Sequence, residues 1–305
     1  MKCFKKLKIR IIALLMLAMF LLCGCSAAEE KTEQDRSEAE DKWTITQYGP
    51  REMNMTFYTI YNPAKGLIVV DGGWVEDEAY VVDVIQSLGG KVDAWIISHP
   101  HNDHVGAFNA IYPKREELGV TIEDIYTVKL PSPEECLAVA PWDNADDYVV
   151  FLSYNIPDII YLSTGDVLEI CGLEFEILSA FDEDVKAISK DYFNDGSLMF
   201  KVYGKTQEFL FCSDVGKRMT KHIIENVGEE KLASDYVQMG HHGNGGLKEK
   251  FYKLVSPTIA FFDAPDWLLN DPTGTYNTPE KKALMEGVGS GIKSFNSAPN
   301  SIILE

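Results

Sequence analysis

Three of the six histidines in this 305-residue sequence fall within one six-residue stretch, and an aspartate lies among them. They are His99, His101 and His104 with Asp103, and they directly follow the mostly apolar run 92–98. Neutral imidazole and carboxylate groups are the ligands that Zn, Mn and Fe prefer in proteins. Bringing four such groups together without a cation would remove them from water without a compensating interaction, which costs free energy. The spacing therefore predicts a metal site at a strand end, where α/β folds hold ligands and catalytic groups.

The elements around this loop alternate between β-rich runs and helical patterns. Strands are predicted over 55–61, 66–70, 92–98, 166–170, 173–178, 198–203, 208–212, 236–239, 258–262 and 301–304, and helices over 77–88, 105–112, 217–226, 246–253 and 279–285. This alternation predicts an α/β or α+β sandwich. The proline-containing segment 127–161 is less regular, which is typical of a loop-rich insertion over a cleft or of a plain surface excursion. We expect this segment to set substrate specificity.

Residues 98–106 (Ser-His-Pro-His-Asn-Asp-His-Val-Gly) resemble the H-x-H-x-D-H motif of the metallo-β-lactamase superfamily. The likeness extends over most of the chain after residue 50. Asp-Gly-Gly at 71–73, Phe-Cys-Ser-Asp at 211–214 and Gly-His-His-Gly at 240–243 are similar to its other site segments. The resemblance implies an α/β fold, a four-layer αββα sandwich, with two divalent metal ions in the cleft between its sheets. Zn is the first choice of metal, and Mn or Fe the alternatives.

The resemblance also assigns roles to individual residues. His99 and His101 are expected to bind the first metal, Asp103 and His104 the second, and Asp214 is expected to bridge them.

The last ligand is expected from His241 or His242, and spacing alone leaves both open. We favour His241, which directly follows a predicted strand, so that His242 faces the substrate. His242 or Asp103 would then manage protons as the catalytic group. Asp71 usually orients the histidine loop in this family without touching a metal.

One departure from the family pattern concerns the first metal. No histidine lies between positions 104 and 222, where the superfamily usually provides one. The segment 193–200 resembles instead the N-x-x-S-L version found in the hydrolase domain of bacterial DNA-uptake channels, and cell-wall phosphorylcholine esterases have a related pattern. Either Asn194 or Asp195 then supplies an oxygen ligand, or the first site is weak. More oxygen ligands would shift the preference from Zn towards Mn or Fe.

These features predict a binuclear metal-dependent hydrolase, in which a metal-activated hydroxide attacks a phosphoryl or acyl centre. The leading interpretation is a phosphodiester hydrolase acting on a small-molecule or cell-wall substrate at the cell envelope. A lactone, thioester or β-lactam hydrolase on the same scaffold is the second, and a non-catalytic lipid-anchored binding protein the third. A net charge of -19 disfavours nucleic acid as a partner.

The N-terminal residues predict export. Five basic residues precede the apolar run 11–22, which is shorter than the roughly 20 residues of a membrane span. The run ends in Leu-Cys-Gly-Cys, which resembles the lipobox of bacterial lipoproteins and makes Cys25 the lipidated residue. The alternative is a soluble secreted protein cut near Ala27 or Ala28.

The predicted organisation is therefore a signal peptide over 1–25, a disordered charged tether over 26–42 and a hydrolase domain over 43–305. The lipid anchor would place that domain on the outer face of the bacterial cell membrane. Oligomeric state is left open.

Overall fold

The first described strand begins at Trp43, where the sequence analysis places the start of the hydrolase domain. The structure, a computed structural model, describes residues 42–49, 52–295 and 298–305. The predicted signal peptide, Cys25 and all but the last residue of the predicted tether lie outside the described residues.

Fourteen strands form in these ranges. They are β1 (Trp43–Gln47), β2 (Phe57–Asn62), β3 (Gly66–Asp71), β4 (Lys91–Ile97), β5 (Thr121–Val128), β6 (Ile160–Leu162), β7 (Val167–Ile170), β8 (Leu173–Ser179), β9 (Met199–Tyr203), β10 (Glu208–Phe211), β11 (Tyr236–Gln238), β12 (Ile259–Phe262), β13 (Gly291–Ser294) and β14 (Asn300–Leu304). The first sheet has the order β14-β1-β2-β3-β4-β5-β6, and the second has the order β13-β12-β11-β10-β9-β8-β7. From β3 to β6 and from β10 to β13 neighbouring strands are parallel.

Helices fill the connections between the strands. The α-helices are α1 (Glu78–Ser87), α2 (Asn102–Ile111), α3 (Pro133–Val139), α4 (Asp146–Ser153), α5 (Glu183–Ile188), α6 (Tyr192–Asp195), α7 (Thr220–Val227), α8 (Glu229–Leu232), α9 (Glu249–Val255), α10 (Asp266–Leu269) and α11 (Thr278–Gly287), and short 3-10 turns occupy Val75–Asp77, Tyr112–Lys114 and Gly240–Gly243. Within the described ranges, no helix combines the length and the hydropathy that a membrane span requires.

Strand β10 shows how the second sheet is covered on both faces. Phe209 and Phe211 belong to the core between the sheets, where the Tyr58 ring of β2 meets Phe211 edge-on at 5.2 Å. Leu210 and the following Cys212 belong to a second core, which the helices on the other side of the sheet complete. Because successive side chains on a strand point to opposite faces, a strand buried on both sides reads as continuously apolar.

The outer face of the first sheet packs against α1 and α2. The Trp95 indole of β4 meets the Phe108 ring of α2 edge-on at 5.1 Å, and its Nε1 donates to the Asp71 carbonyl over 2.9 Å. Two facing sheets with helices outside both confirm the predicted αββα sandwich. The contact also fixes α2, which carries part of the histidine motif, against the ends of β3 and β4.

Two local expectations need correction. The helix predicted over 105–112 begins earlier, at Asn102, so that Asp103 and His104 lie on its first turn. The segment 127–161 contains the short helices α3 and α4, where a loop-rich stretch was expected. Helix α3 begins with a capping box, in which Ser132 and Glu135 each accept a hydrogen bond from the other's backbone N–H.

Candidate metal centre

Asp71 holds the histidine loop in place from the end of β3. Its backbone lies in the left-handed region, with φ of 55°, and its side chain is fully buried. Oδ1 accepts from the Ser98 backbone N–H over 2.7 Å, while Oδ2 accepts from the Ser98 hydroxyl over 2.7 Å and from His104 Nδ1 over 2.8 Å. This is the orienting position that the family resemblance implies for Asp71, because it leaves His104 Nε2 free to face inward.

Buried donor atoms converge on the inner side of this loop. His99, His104 and Asp214 form one group with ligand atoms within 4.8 Å of one another, and Asp103, His104 and His242 form a second. His104 Nε2 lies 3.4 Å from Asp214 Oδ1, and both atoms are buried without a hydrogen-bond partner. Leaving such atoms unsatisfied in a protein interior costs about 1–3 kcal/mol each. A cation between them would remove that cost, so these residues fit a metal.

The tautomers of His99 and His101 point to the same conclusion. His101 Nε2 lies 3.1 Å from Asp143 Oδ2, so it donates its hydrogen to that carboxylate. His99 Nδ1 lies 3.1 Å from the Ser98 hydroxyl, which already donates to a carboxylate and therefore accepts here. The remaining ring nitrogens, His99 Nε2 and His101 Nδ1, face each other at 3.0 Å. Two lone pairs at that separation repel, whereas two ligands of one tetrahedral zinc stand roughly 3.3 Å apart.

Asp214, at the turn after β10, belongs to the first donor group and lies beside the second. Its Oδ2 is 3.6 Å from His242 Nε2 and 3.7 Å from His241 Nε2. The preceding residue, Ser213, has a left-handed backbone with φ of 46°, which redirects the chain so that Asp214 enters the site. The Asp214 backbone N–H donates to the Ser197 hydroxyl over 3.3 Å. This placement, within one group and next to the other, suits the bridging role predicted for Asp214.

The charges of these groups depend strongly on one another. Burial raises the pKa of Asp214, but the nearby His104, His242 and His241 outweigh burial and hold that pKa well below its usual range. Burial lowers the pKa of His99 well below 6.5, so its imidazole is neutral and able to bind a metal. Burial lowers the pKa of His104 as well, but the surrounding carboxylates, Asp214 first, raise it well above 6.5.

The two adjacent histidines at 241 and 242 occupy different environments. Both have φ of 54° in the tight turn Gly240–Gly243, so their side chains diverge. The side chain of His242 is 3% exposed, with Nε2 3.0 Å from Asp103 Oδ2, whereas the side chain of His241 is 38% exposed and lines the cleft. The expectation from the sequence is that His241 is the ligand and that His242 faces the substrate. The positions favour the reverse assignment, because His242 alone of the two joins a buried donor group.

Asn194 and Asp195 also diverge. Asn194 donates from Nδ2 to Asp191 Oδ2 over 2.7 Å, and its buried Oδ1 has no hydrogen-bond partner. Asn194 lines the cleft beside the donor groups. Asp195 is turned away, since its carboxylate accepts from the Ser189 hydroxyl over 2.6 Å and from the Gly216 backbone N–H over 3.0 Å. Of the two oxygen ligands considered from the sequence, the geometry therefore favours Asn194.

A cleft of about 310 Å³ opens above the donor groups. Its lining consists of His101, Asn102, Asp103, Trp142, Asp143, Asn144, Asp147, Asn194, Asp214 and His241. Trp142 is 71% exposed, and Asp143 hydrogen-bonds to His101. Sequence reasoning did not find Asp143, and the only signal available was that the Trp-Asp-Asn stretch lies inside the irregular segment 127–161.

Two further residues with side chains that can bind metals, Cys212 and His222, lie outside the donor groups. Cys212 is fully buried in the second core, and burial raises the pKa of its thiol. His222 lies on α7, where its Nε2 contacts the Asn226 side chain at 3.0 Å. Both positions fit structural roles.

The comparisons with known proteins concern the family and the fold. Residues 51–153, about a third of the chain, match the model of the metallo-beta-lactamase superfamily. No curated protein gives a match.

Solved structures share the fold at low sequence identity. The diiron beta-hydroxylase CmlA from Streptomyces venezuelae aligns with a TM-score of 0.54 at 12% identity, over 85% of this chain and 54% of that one. Zn(2+)-bound PqqB from Methylobacterium extorquens aligns with a TM-score of 0.50 at 9% identity, over 81% of this chain and 87% of that one. This chain thus spans about half the length of the hydroxylase. The match over residues 51–153 agrees with the shared sandwich fold, and the buried His/Asp groups could hold metal ions.

Proposed function

We propose that this protein is a binuclear metal-dependent hydrolase that cleaves a phosphodiester at the cell envelope. The observation that carries the proposal is the pair of buried donor groups around His104 and Asp214, whose facing atoms lack any other partner. An ordinary protein core does not gather unsatisfied imidazole and carboxylate groups, because each would cost stability.

The ligand sets follow from which atoms face one another. His99 Nε2 and His101 Nδ1 would hold the first ion, with Asn194 Oδ1 as the oxygen ligand in place of the missing histidine. The second ion would be held by three other side chains, namely Asp103, His104 and His242, with Asp214 between the two ions. Divalent ions at such a site supply Lewis acidity and lower the pKa of bound water towards 7.

The chain's own groups then bind and orient the substrate. His241 stands in the cleft wall with its ring partly exposed, within reach of a substrate oxygen beside Asp214. We assign to it the proton donation to the leaving oxygen, a role that the sequence left open between His242 and Asp103. Trp142 offers an exposed indole on the opposite segment, against which an apolar part of the substrate can pack.

The cleft lining bears on the substrate class. None of the residues that line the cleft is a lysine or an arginine, and four of them are aspartates. An anionic substrate must therefore have its charge met by the metals. This lining supports a small substrate with one phosphodiester group over a long polyanion, which would need a basic track. The likeness of residues 193–200 to a phosphodiester-cleaving subgroup supports the same substrate class.

The proposed location rests on the N-terminal sequence. The basic residues, the short apolar run and the Leu-Cys-Gly-Cys ending support export and a lipid anchor on Cys25 at the outer face of the cell membrane. A small-molecule or cell-wall phosphodiester would be the substrate available there.

The experiment is metal content and bis-p-nitrophenyl phosphate turnover of the full-length chain in detergent. The variants His101→Ala and Asp214→Ala are compared with His222→Ala, a histidine on the surface of α7. We expect two ions per chain and turnover in the wild type and in His222→Ala, with both lost or strongly reduced in the other variants. Bound metal without phosphodiester cleavage would reject the substrate class. Turnover of a lactone or a thioester would then favour another hydrolase on the same scaffold, and turnover of neither would favour the non-catalytic binding protein. An absence of bound metal would reject the hydrolase itself.

A further inference from the structure

We propose that Asp143 is a positioning residue of the metal centre, which fixes His101 in the tautomer whose Nδ1 is free to bind the first ion. The proposal rests on the metal centre proposed above but not on its substrate. It assigns a function to the segment between β5 and β6, which sequence analysis could connect only with substrate specificity.

The Asp143 carboxylate is held on both sides. Its Oδ1 accepts from the Asn144 backbone N–H over 2.8 Å, and its Oδ2 accepts from His101 Nε2 over 3.1 Å. The Asp143 backbone N–H donates to the Ala140 carbonyl over 3.0 Å, so the turn between α3 and α4 is itself fixed. The side chains of Asp143 and His101 are 17% and 14% exposed, so water competes little for this hydrogen bond.

The hydrogen bond determines which nitrogen can serve as a ligand. A neutral imidazole carries one N–H, and a carboxylate can only accept. With the hydrogen on Nε2, the lone pair lies on Nδ1, which is the atom 3.0 Å from His99 Nε2. The Phe193 ring packs against the imidazole at 5.1 Å and limits its rotation. Within the described ranges, Asp143 is the one carboxylate that hydrogen-bonds to His101, so it is the group that selects this tautomer.

Asp71 fixes the tautomer of His104 in the same way, but it accepts from the other ring nitrogen. Asp71 accepts from His104 Nδ1 and leaves Nε2 inward, whereas Asp143 accepts from His101 Nε2 and leaves Nδ1 inward. Asp71 is fully buried at a strand end, but Asp143 lies on the cleft wall next to the exposed Trp142. The segment that lines the cleft is thereby joined to the proposed ligand His101 through Asp143.

The test measures the His101 tautomer and the metal affinity separately from turnover. Ring ¹⁵N shifts of the six histidines are recorded for the metal-free full-length chain at a pH where His101 is neutral, and His101→Ala identifies the relevant signals. Zinc affinity is measured by competition with a chelator, and stoichiometry by elemental analysis. The variants are Asp143→Ala and the isosteric Asp143→Asn, and the control is Asp147→Asn, which lies in the same cleft lining but contacts Asn109 and no histidine.

We expect His101 to be protonated at Nε2 in the wild type and in Asp147→Asn, and to become a mixture of tautomers in Asp143→Ala. Zinc affinity should fall about 10- to 100-fold in that variant at unchanged stoichiometry, which is the usual effect of losing a carboxylate behind a histidine ligand. Asp143→Asn keeps one acceptor oxygen and should give an intermediate loss. An unchanged tautomer and affinity would overturn the proposal, and so would the complete loss of one ion, since that would make Asp143 a ligand. Because the tautomer is measured without metal or substrate, failure of the phosphodiester proposal would leave this result intact.

Discussion

His104 donates its Nδ1 hydrogen to Asp71 over 2.8 Å, and this bond directs Nε2 at Asp214 Oδ1, 3.4 Å away. Asp71 also accepts from the backbone and the hydroxyl of Ser98, so one buried carboxylate fixes both the tautomer of a ligand and the course of the loop. The geometry of the candidate metal centre therefore depends on a residue that is not itself among the proposed ligands.

The first prediction concerns Asp71→Ala. The change removes the acceptor from the buried Ser98 N–H and should lower the free energy of unfolding by about 1–3 kcal/mol for that group alone. It should also weaken metal binding about 10- to 100-fold, because His104 is free to adopt the other tautomer. Urea unfolding and chelator competition measure the two effects. Asp83→Asn on the exposed face of α1 is the control, and equal behaviour of the two variants would contradict the role given to Asp71.

The second prediction uses the contrast between Asn194 and Asp195. Asn194→His places a nitrogen ligand where the family usually has one, so the affinity for Zn relative to Mn should rise on the order of tenfold, or about 1.4 kcal/mol. Asp195→Asn should instead lower stability with little change in metal preference, since Asp195 holds Ser189 and Gly216 and faces away from the cleft. Competition between the two metals measures the preference. A larger shift of metal preference at Asp195 than at Asn194 would reverse the assignment.

Much of this centre could be predicted from the sequence because its parts are local. The apolar run before the histidine motif indicated a covered strand, and β4 ends at Ile97, directly before the loop. The Asp-Gly-Gly at 71–73 likewise follows a clear strand and lies where the resemblance implied. In both cases short-range spacing was sufficient, because a strand end fixes where the next few side chains go.

Other parts depend on contacts that local patterns do not encode. Asp143 reaches His101 across 42 positions of sequence, and nothing in the intervening segment repeats or alternates in a way that predicts the pairing. The choice between His241 and His242 depends on two successive left-handed backbone conformations, which non-glycine residues adopt rarely and at a cost of about 1–3 kcal/mol each. Strand β5 was not predicted from the sequence, because charged residues interrupt the apolar pattern in its exposed first half.

The third prediction is that the stability of the metal-free protein falls as the pH rises from 6 to 8. Burial lowers the pKa values of His104 and His242, but nearby carboxylates, Asp214 first, raise both above 6.5. A raised histidine pKa stabilises the fold below 6.5, and that contribution is lost as the pH rises through the folded value. Burial raises the pKa of Asp103, but His104 and His242 lower it to about 2. Asp103 therefore stabilises the fold above pH 3.8, and this stabilisation is lost as the pH falls towards 2.

The raised histidine pKa values stabilise the fold at low pH, and the lowered pKa of Asp103 stabilises it at higher pH. The metal-free protein should therefore be most stable between about pH 4 and 6.5. His99 opposes the trend, because its lowered pKa costs stability as the pH falls below 6.5. It is one histidine against three, since burial lowers the pKa of His101 but the hydrogen bond to Asp143 and the nearby carboxylates together raise it. The metal-loaded protein should show the reverse slope from pH 6 to 8, since metal and protons compete for the same nitrogens. Urea unfolding of chelator-treated and metal-loaded samples across this range measures both slopes. Equal slopes would mean that these histidines do not form the metal centre.

The fourth prediction concerns the N-terminal cysteine. In a bacterial host that processes lipoproteins, the wild-type chain should incorporate labelled palmitate and partition with membranes, whereas Cys25→Ser should lose the label and be released. Cys23→Ser is the control, because it changes the other cysteine of the Leu-Cys-Gly-Cys sequence, two residues earlier. Labelling that persists in Cys25→Ser, or a soluble unlabelled wild type cut near Ala27 or Ala28, would favour simple secretion.

The fifth prediction separates the adjacent histidines by their effects on metal and on rate. His242 is buried with Nε2 3.0 Å from Asp103, so His242→Ala should remove one ion and lower turnover with it. His241 is partly exposed on the cleft wall, so His241→Ala should keep both ions and lower kcat by about 100- to 10,000-fold, the usual contribution of a general acid. Elemental analysis and steady-state kinetics on the same samples distinguish the two. If His241→Ala loses the ion while His242→Ala retains it, the turn presents the opposite side chain to the metal, and His242 becomes the proton donor.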